Sequence, residues 1–159
     1  MEDKIKRVGL HLPGKFSNLT FALGASKVLF DVFRTAGIEI VNIVVNSTNA
    51  FTGLLLCVGD FSTLTNACLN IKSENISKIP WRKVFIHPFK RPSLLDNEPL
   101  KNYVEPLIDL DSIFNDRAIP LDIITADMMS GDYVLFTNKN PAHKDIFFDA
   151  IFSSSVFFF

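Results

Sequence analysis

Apolar runs of strand length alternate with stretches of helical period through the first half of the chain. Val8 to Leu12 is a short apolar run closed by Pro13-Gly14, the form of a buried strand. Beyond it, Ala22, Ala25, Val28, Leu29, Val32 and Phe33 recur at three and four residues and predict one apolar helix face. Asn18 is the expected cap and Gly37 the stop. Ile38 to Val45 is rich in Ile and Val and predicts a second buried strand. It ends abruptly at Asn46-Ser47-Thr48-Asn49, after which Ala50, Phe51, Leu54, Leu55 and Val58 return at helical spacing up to Gly59. Asp60 or Ser62 is placed to cap a further helix reaching about Ile71. Strand, helix, strand and helix joined by short links predict an α/β fold with a mainly parallel sheet and right-handed crossovers.

The second half is less regular. Lys72 to Pro92 holds three prolines, the only Trp, and five Lys/Arg between Lys78 and Arg91. Asp96 or Asn97 is then expected to cap a helix running toward Leu107. Ile119 to Ala126 reads as a strand, and Gly131 turns the chain into Tyr133 to Thr137 as its hairpin partner. Asp145 is expected to cap a last helical segment that runs into Val156-Phe157-Phe158-Phe159. So apolar an ending predicts cover from a partner, self-association through those Phe residues, or a fold that is incomplete at its C-terminus. The 159 residues suit a single domain.

Composition excludes several function classes. The formal net charge is -1, which gives no overall electrostatic footprint for nucleic acid. Cys57 and Cys68 lie in apolar segments and are expected to be free thiols in a reducing compartment. No His, Cys and Asp spacing suggests a metal site, and no motif suggests a cofactor. No apolar run approaches the ~20 residues of a membrane span, and the charged first residues are followed by no signal-like run. A cytoplasmic protein is the expectation. The stretch Trp81 to Arg91 interleaves aromatics with cations. It predicts a solvated loop whose rings pack on the core, with contact to a membrane surface as the rival. His87 and His143 stand beside prolines and are expected to face solvent, whereas His11 sits near the end of the first strand.

Ser47 falls where a strand turns directly into a helix at the C-terminal edge of a parallel sheet, the place where open α/β sheets carry their sites. A serine there is either a helix N-cap or the nucleophile of an elbow. The surrounding segments resemble the patatin-like phospholipases. Arg7-Val8-Gly9-Leu10-His11-Leu12, with Gly24 and Val28-Leu29 after it, is similar to that family's first strand, oxyanion loop and first helix. Gly37 to Ile43 leads into Ser47 as the family's second strand leads into its catalytic serine. Ser93 to Leu100 resembles a capped helix start, Ile119 to Asp127 with Ser130 to Thr137 the central strand and hairpin, and Asp149 to Ser155 the helix before the later active-site loop.

What the resemblance implies is a three-layer α/β/α sandwich acting as a lipid acyl hydrolase, with a lipid or other acyl ester as partner and no cofactor. Ser47 would be the nucleophile, an Asp the base, and a glycine-rich loop the oxyanion site, of which Gly14 is the position retained. The sequence departs from the family at three places. The elbow Gly-x-Ser-x-Gly is here Val45-Asn46-Ser47-Thr48-Asn49, the oxyanion loop after Gly14 is Lys15-Phe16-Ser17-Asn18, and no Asp-Gly dipeptide occurs anywhere. Asp127, Asp145 and Asp149 match no catalytic motif. A weakly active hydrolase, a catalytically silent module that binds lipid or protein, and a truncated, non-functional gene product are the three expectations.

Overall fold

The computed structural model describes residues 6–14, 19–72, 75, 98–127 and 129–155. Its elements are β1 (Lys6–Leu12), α1 (Leu19–Thr35), β2 (Ile38–Asn46), α2 (Asn49–Cys57), α3 (Phe61–Asn70) and α4 (Glu98–Val104). They continue through a 3-10 turn (Glu105–Leu107), α5 (Leu110–Ile113), β3 (Leu121–Ala126), β4 (Tyr133–Thr137), a second 3-10 turn (Pro141–Ile146) and α6 (Phe147–Ser155). The strands form one sheet in the order β1-β2-β3-β4, parallel except for β4, which pairs antiparallel with β3. The α/β class and the hairpin are as the sequence predicts. The expected cap at Asn18, most of the irregular stretch after Lys72 with its basic-aromatic run and His87, the cap at Asp96 or Asn97, and the apolar end at 156–159 lie outside the described residues.

Sequential strand order decides where the helices go. Crossovers between parallel strands are right-handed as a rule, and two that step in the same direction carry their helices to the same face of the sheet. Contacts of α1 with α2 and α3, and of α2 with α6, agree with one shared layer. Ile43, Val45, Leu121 and Ile123 point into it and are fully buried. On the opposite face, Asn42, Val44, Asp122 and Ile124 are half-buried, while His11, Tyr133 and Leu135 are exposed. That face is held by polar pairs across strands. Asn42 Nδ2 donates to Asp122 Oδ2 at 2.9 Å, and Arg7 pairs with Glu39 at 3.1 Å. Among the described residues, no helix is long and apolar enough to cross a membrane.

A bulge sets the facing of β2. Val8 pairs with Ile40 but Gly9 with Asn42, so Val41 is an extra residue. The bulge re-phases the alternation, so that Ile40 before it and Ile43 and Val45 after it all pack against the same core.

α2 is the centre of that core. All nine of its residues are buried, as expected of a helix that is apolar nearly all round. Fully burying a leucine such as Leu54 or Leu56 contributes about 1.5–3 kcal/mol. The helix lies close to the sheet because Gly53 has no side chain. A Cβ there would stand 2.6 Å from Val45 Cγ1 and 3.0 Å from Leu121 Cδ1. Phe51 meets Phe152 of α6 edge-to-face at 5.4 Å, and Phe114 meets Phe147 at 5.0 Å. Asn138 ties the chain ends of the sheet together. Its Nδ2 donates to the Ile113 and Ile119 carbonyls, and its Oδ1 accepts the Leu121 N–H.

Three sequence expectations are corrected. α1 does not bury the face that contains Val28 and Val32, which are 62% and 52% exposed. It buries Leu23 and Ser26, and half-buries Phe30 against Phe61 of α3 at 5.1 Å. The polar Ser26 interrupts this stripe in the sequence and conceals it. Asp145 caps no helix. It lies within the second 3-10 turn, whose cap is Asn140, accepting the Ala142 N–H. His143 is half-buried rather than solvent-facing, and its Nδ1 accepts the Thr137 N–H at 3.0 Å.

Asp60, rather than Ser62, caps α3. Its Oδ1 accepts the Thr63 N–H at 3.0 Å and the Ser62 hydroxyl at 2.8 Å. Those bonds, led by the Thr63 N–H, hold the Asp60 carboxyl below its ordinary range. A depressed carboxyl stabilises the fold above the unfolded-state pKa, and the gain is lost as pH falls through the folded-state value. Asp60→Ala is therefore expected to cost about 1 kcal/mol at neutral pH. The difference from wild type should shrink in acid, as read by urea denaturation across pH. Gly53→Ala should be destabilising by about 1–3 kcal/mol despite alanine's better helix propensity. Combining it with Val45→Ala should cost less than the sum of the two single changes.

Candidate functional site at the β2–α2 turn

Ser47 stands between the last residue of β2 and the start of α2 with φ +54. Among the described residues it alone, apart from glycines, has positive φ. An L-residue in that region carries a backbone cost of about 1–2 kcal/mol, so the fold must hold it there. Helix capping does not account for the serine. The N-cap position of α2 is Thr48, which is in the right-handed region and makes no side-chain capping bond. The turn closes instead through the backbone, the Ala50 N–H donating to the Ser47 carbonyl at 2.9 Å.

Four hydrogen bonds among the described residues help to hold the elbow. The Ser47 N–H donates to Ser154 Oγ at 2.7 Å, and Ser154 Oγ donates to the Ile124 carbonyl at 2.8 Å. One hydroxyl thus joins the turn, the end of β3 and α6. From the other side, the loop after β1 is fastened by the two asparagines that flank the turn. The Gly14 N–H donates to Asn46 Oδ1 at 3.0 Å, and Asn49 Nδ2 donates to the Pro13 carbonyl at 2.7 Å.

Gly14 lies directly on the serine. A Cβ at Gly14 would come within 2.1 Å of Ser47 Cβ and 2.4 Å of the Asn46 carbonyl, so no side chain fits. The two residues that the sequence assigned to nucleophile and oxyanion loop are therefore in contact across 33 positions of chain. The Gly14 N–H, however, is already given to Asn46.

The departures from Gly-x-Ser-x-Gly acquire a physical account. Val45 takes the position of the first glycine and points into the core, fully buried. Gly53, one turn into α2, leaves the space that Val45 fills. Asn49 takes the position of the second glycine. It is 2% exposed and folded inward as the clasp on Pro13. Its Oδ1, with the hydroxyls of Thr48 and Thr52, is buried without a hydrogen-bond partner.

Other candidates fall away from the elbow. His11 lies on the open face, exposed, in register with Val44. Asp127 accepts the Met129 N–H in the β3–β4 turn, and Asp149 is exposed on α6. The Cys57 thiol is buried, which pushes it up to about 12, and it is not a nucleophile at neutral pH. Burial also raises the Cys68 thiol. Among the described residues no group of His, Cys, Asp and Glu could hold a metal ion. Sequence reasoning missed Ser154 and the clasps of Asn46 and Asn49. Their only signal was polar residues at both ends of an apolar strand and in a late helix, a pattern shared with ordinary turns.

Ser47→Gly and Ser47→Ala both remove the hydroxyl but differ in backbone tolerance. The glycine variant is expected to be more stable than the alanine variant by about 1 kcal/mol, measured by chemical denaturation. No protein-family model, curated protein or solved structure matches the chain.

Proposed function

We propose that the chain is a patatin-like serine acyl hydrolase homologue in which Ser47 is the nucleophile. The observation that carries this is φ +54 at Ser47, on a strand-to-helix turn at the C-terminal edge of parallel strands. A backbone cost at a residue that does not cap its helix is what a nucleophile elbow requires, because the turn lifts Oγ clear of the sheet. The α2 N-terminus beneath it favours negative charge on a reacting oxygen. The contact of Gly14 with Ser47 supports an oxyanion-loop position for the turn after β1.

In the proposed reaction Ser47 Oγ attacks an ester carbonyl as its proton passes to a base, the ester C–O bond breaks and the alcohol leaves with that proton, and water then hydrolyses the acyl-enzyme to the free acid and the serine hydroxyl. An Asp is the base by resemblance, within a three-layer cytoplasmic enzyme whose substrate is a lipid or other acyl ester. A peripheral membrane position and self-association belong to the same proposal.

A catalytically silent module that binds lipid or protein is the second reading, and one observation favours it. Asn46 Oδ1 occupies the Gly14 N–H, which a reacting oxyanion would need.

Treatment with a fluorophosphonate probe separates the two. Stoichiometric labelling of wild type that disappears in Ser47→Ala is the expected result. An unlabelled wild-type protein, or equal labelling of the variant, rules out the nucleophile and leaves the binding module.

A further inference from the structure

Two unpartnered surfaces adjoin along one side of the domain. β1 is the outermost strand, and among the described residues it pairs only with β2. A free strand edge presents a row of backbone N–H and C=O groups and is a template for a further strand. α1 is the crossover from β1 to β2, so it lies over that same edge. Its inner side seats Leu23 and Ser26, and Phe30 and Lys27 both meet the Phe61 ring of α3, at 5.1 Å and 5.9 Å. The side turned away from α3 carries Phe21, Ala25, Val28 and Val32 at spacings of four, three and four, which is one stripe of a helix. Phe21, Val28 and Val32 are 76%, 62% and 52% exposed.

The distribution of charge selects the occupant. A two-fold contact brings each residue near its own copy, so charge on such a surface repels itself. All the charged residues of α1 lie off the stripe. Asp31 holds Lys27 at 3.4 Å and Arg34 at 3.0 Å in a network of their own. A charged partner finds nothing to answer on the stripe, whereas a second copy meets an apolar surface like its own. β1 is equally suited. Val8, Leu10 and Leu12 are half-buried and alternate with exposed Arg7, Gly9 and His11, and Leu10 and Leu12 pack toward the core beneath the helices. Antiparallel pairing of two β1 strands about Gly9 sets Val8 of each copy opposite Leu10 of the other, below the two stripes. Arg7 stays on the open face with its own Glu39 at 3.1 Å.

We infer that the β1 edge and the α1 stripe together dock a second copy of this chain, joining the two sheets through β1 into one. The surface is separate from Ser47 and from Val156 to Phe159. β1 spans ~20 Å, and a helix ~10 Å across on a strand layer ~10 Å deep gives a wall with a flat footprint of about 400 Å². Projecting side chains raise the accessible area toward the ~600 Å² per partner at which specific dimers begin. A dimer dissociating in the micromolar range is therefore expected.

Sedimentation velocity from about 1 to 200 µM tests it, with hydrogen exchange at the two ends of that range. Reversible dimerisation is expected, weakened at least about tenfold in Val28→Arg. The β1 amides should exchange more slowly at the higher concentration. Val28 is 62% exposed, so the variant is expected to keep the wild-type circular dichroism and thermal midpoint. Should it not, Phe21→Ser at a still more exposed position takes its place. Replacing Phe157, Phe158 and Phe159 together by serine should leave dimerisation unchanged. A chain that stays monomeric throughout overturns the inference. So does a dimer indifferent to the α1 variants, one that leaves β1 exchange unaltered, or one lost only with the three phenylalanines.

Discussion

The contact between α2 and the sheet is the constraint on which the rest depends. A helix with no wet side must be surrounded, and α1, α3, α6 and the inward faces of β2 and β3 all turn toward it. Close approach requires a missing side chain at one point, and Gly53 provides it opposite Val45. With the helix so near, only a short, strained turn can join it to β2. The positive φ of Ser47 is thus tied to core packing two turns away. Stability and site geometry are two readings of the same interlock.

The elbow is also held by hydrogen bonds that reach far along the chain. Ser154 and Ser47 are 107 residues apart, and Gly14 and Asn46 are 32 apart. The first pair needs α6 in place beside the turn, and the second needs β1 beside β2. A local stretch of sequence can suggest the turn, but only the assembled domain fixes it. This suits a site that must keep an unfavourable backbone angle, since the energy that holds it comes from the whole core rather than the turn.

Much of the architecture was legible because strand and helix periods are short-range signals. Ile38 to Val45, the helix after Asn49, the capping side chain at Asp60 and the hairpin at Gly131 each announced themselves within a few residues. What was illegible depended on partners. Ser26 is buried because α1 rotates to seat Leu23 and Phe30, and no local pattern ranks that face above the one with Val28 and Val32. His143 is half-buried through a bond to Thr137 that looks like a loop from the sequence. At the elbow, Val45 and Asn49 read as losses against a glycine motif. In three dimensions one is accommodated by Gly53 and the other clasps Pro13. A motif compares residues in line, whereas packing compares them across the gap.

The bulge at Val41 makes the direction of the site a matter of parity. In a pleated strand each residue reverses the facing of the next, and the extra one in β2 restores Ile43 and Val45 to the side that Ile40 already occupies. Loss of the Val41 codon would leave β2 a regular strand with Ile40, Ile43 and Val45 still on one face, because the bulge absorbs the missing residue. One added residue between Asn42 and Asn46 would instead exchange the dry and wet faces of everything beyond it, and Ser47 would leave the sheet on the wrong side. For this segment a gain of one residue is graver than a loss of one, an ordering that side-chain chemistry alone would never suggest.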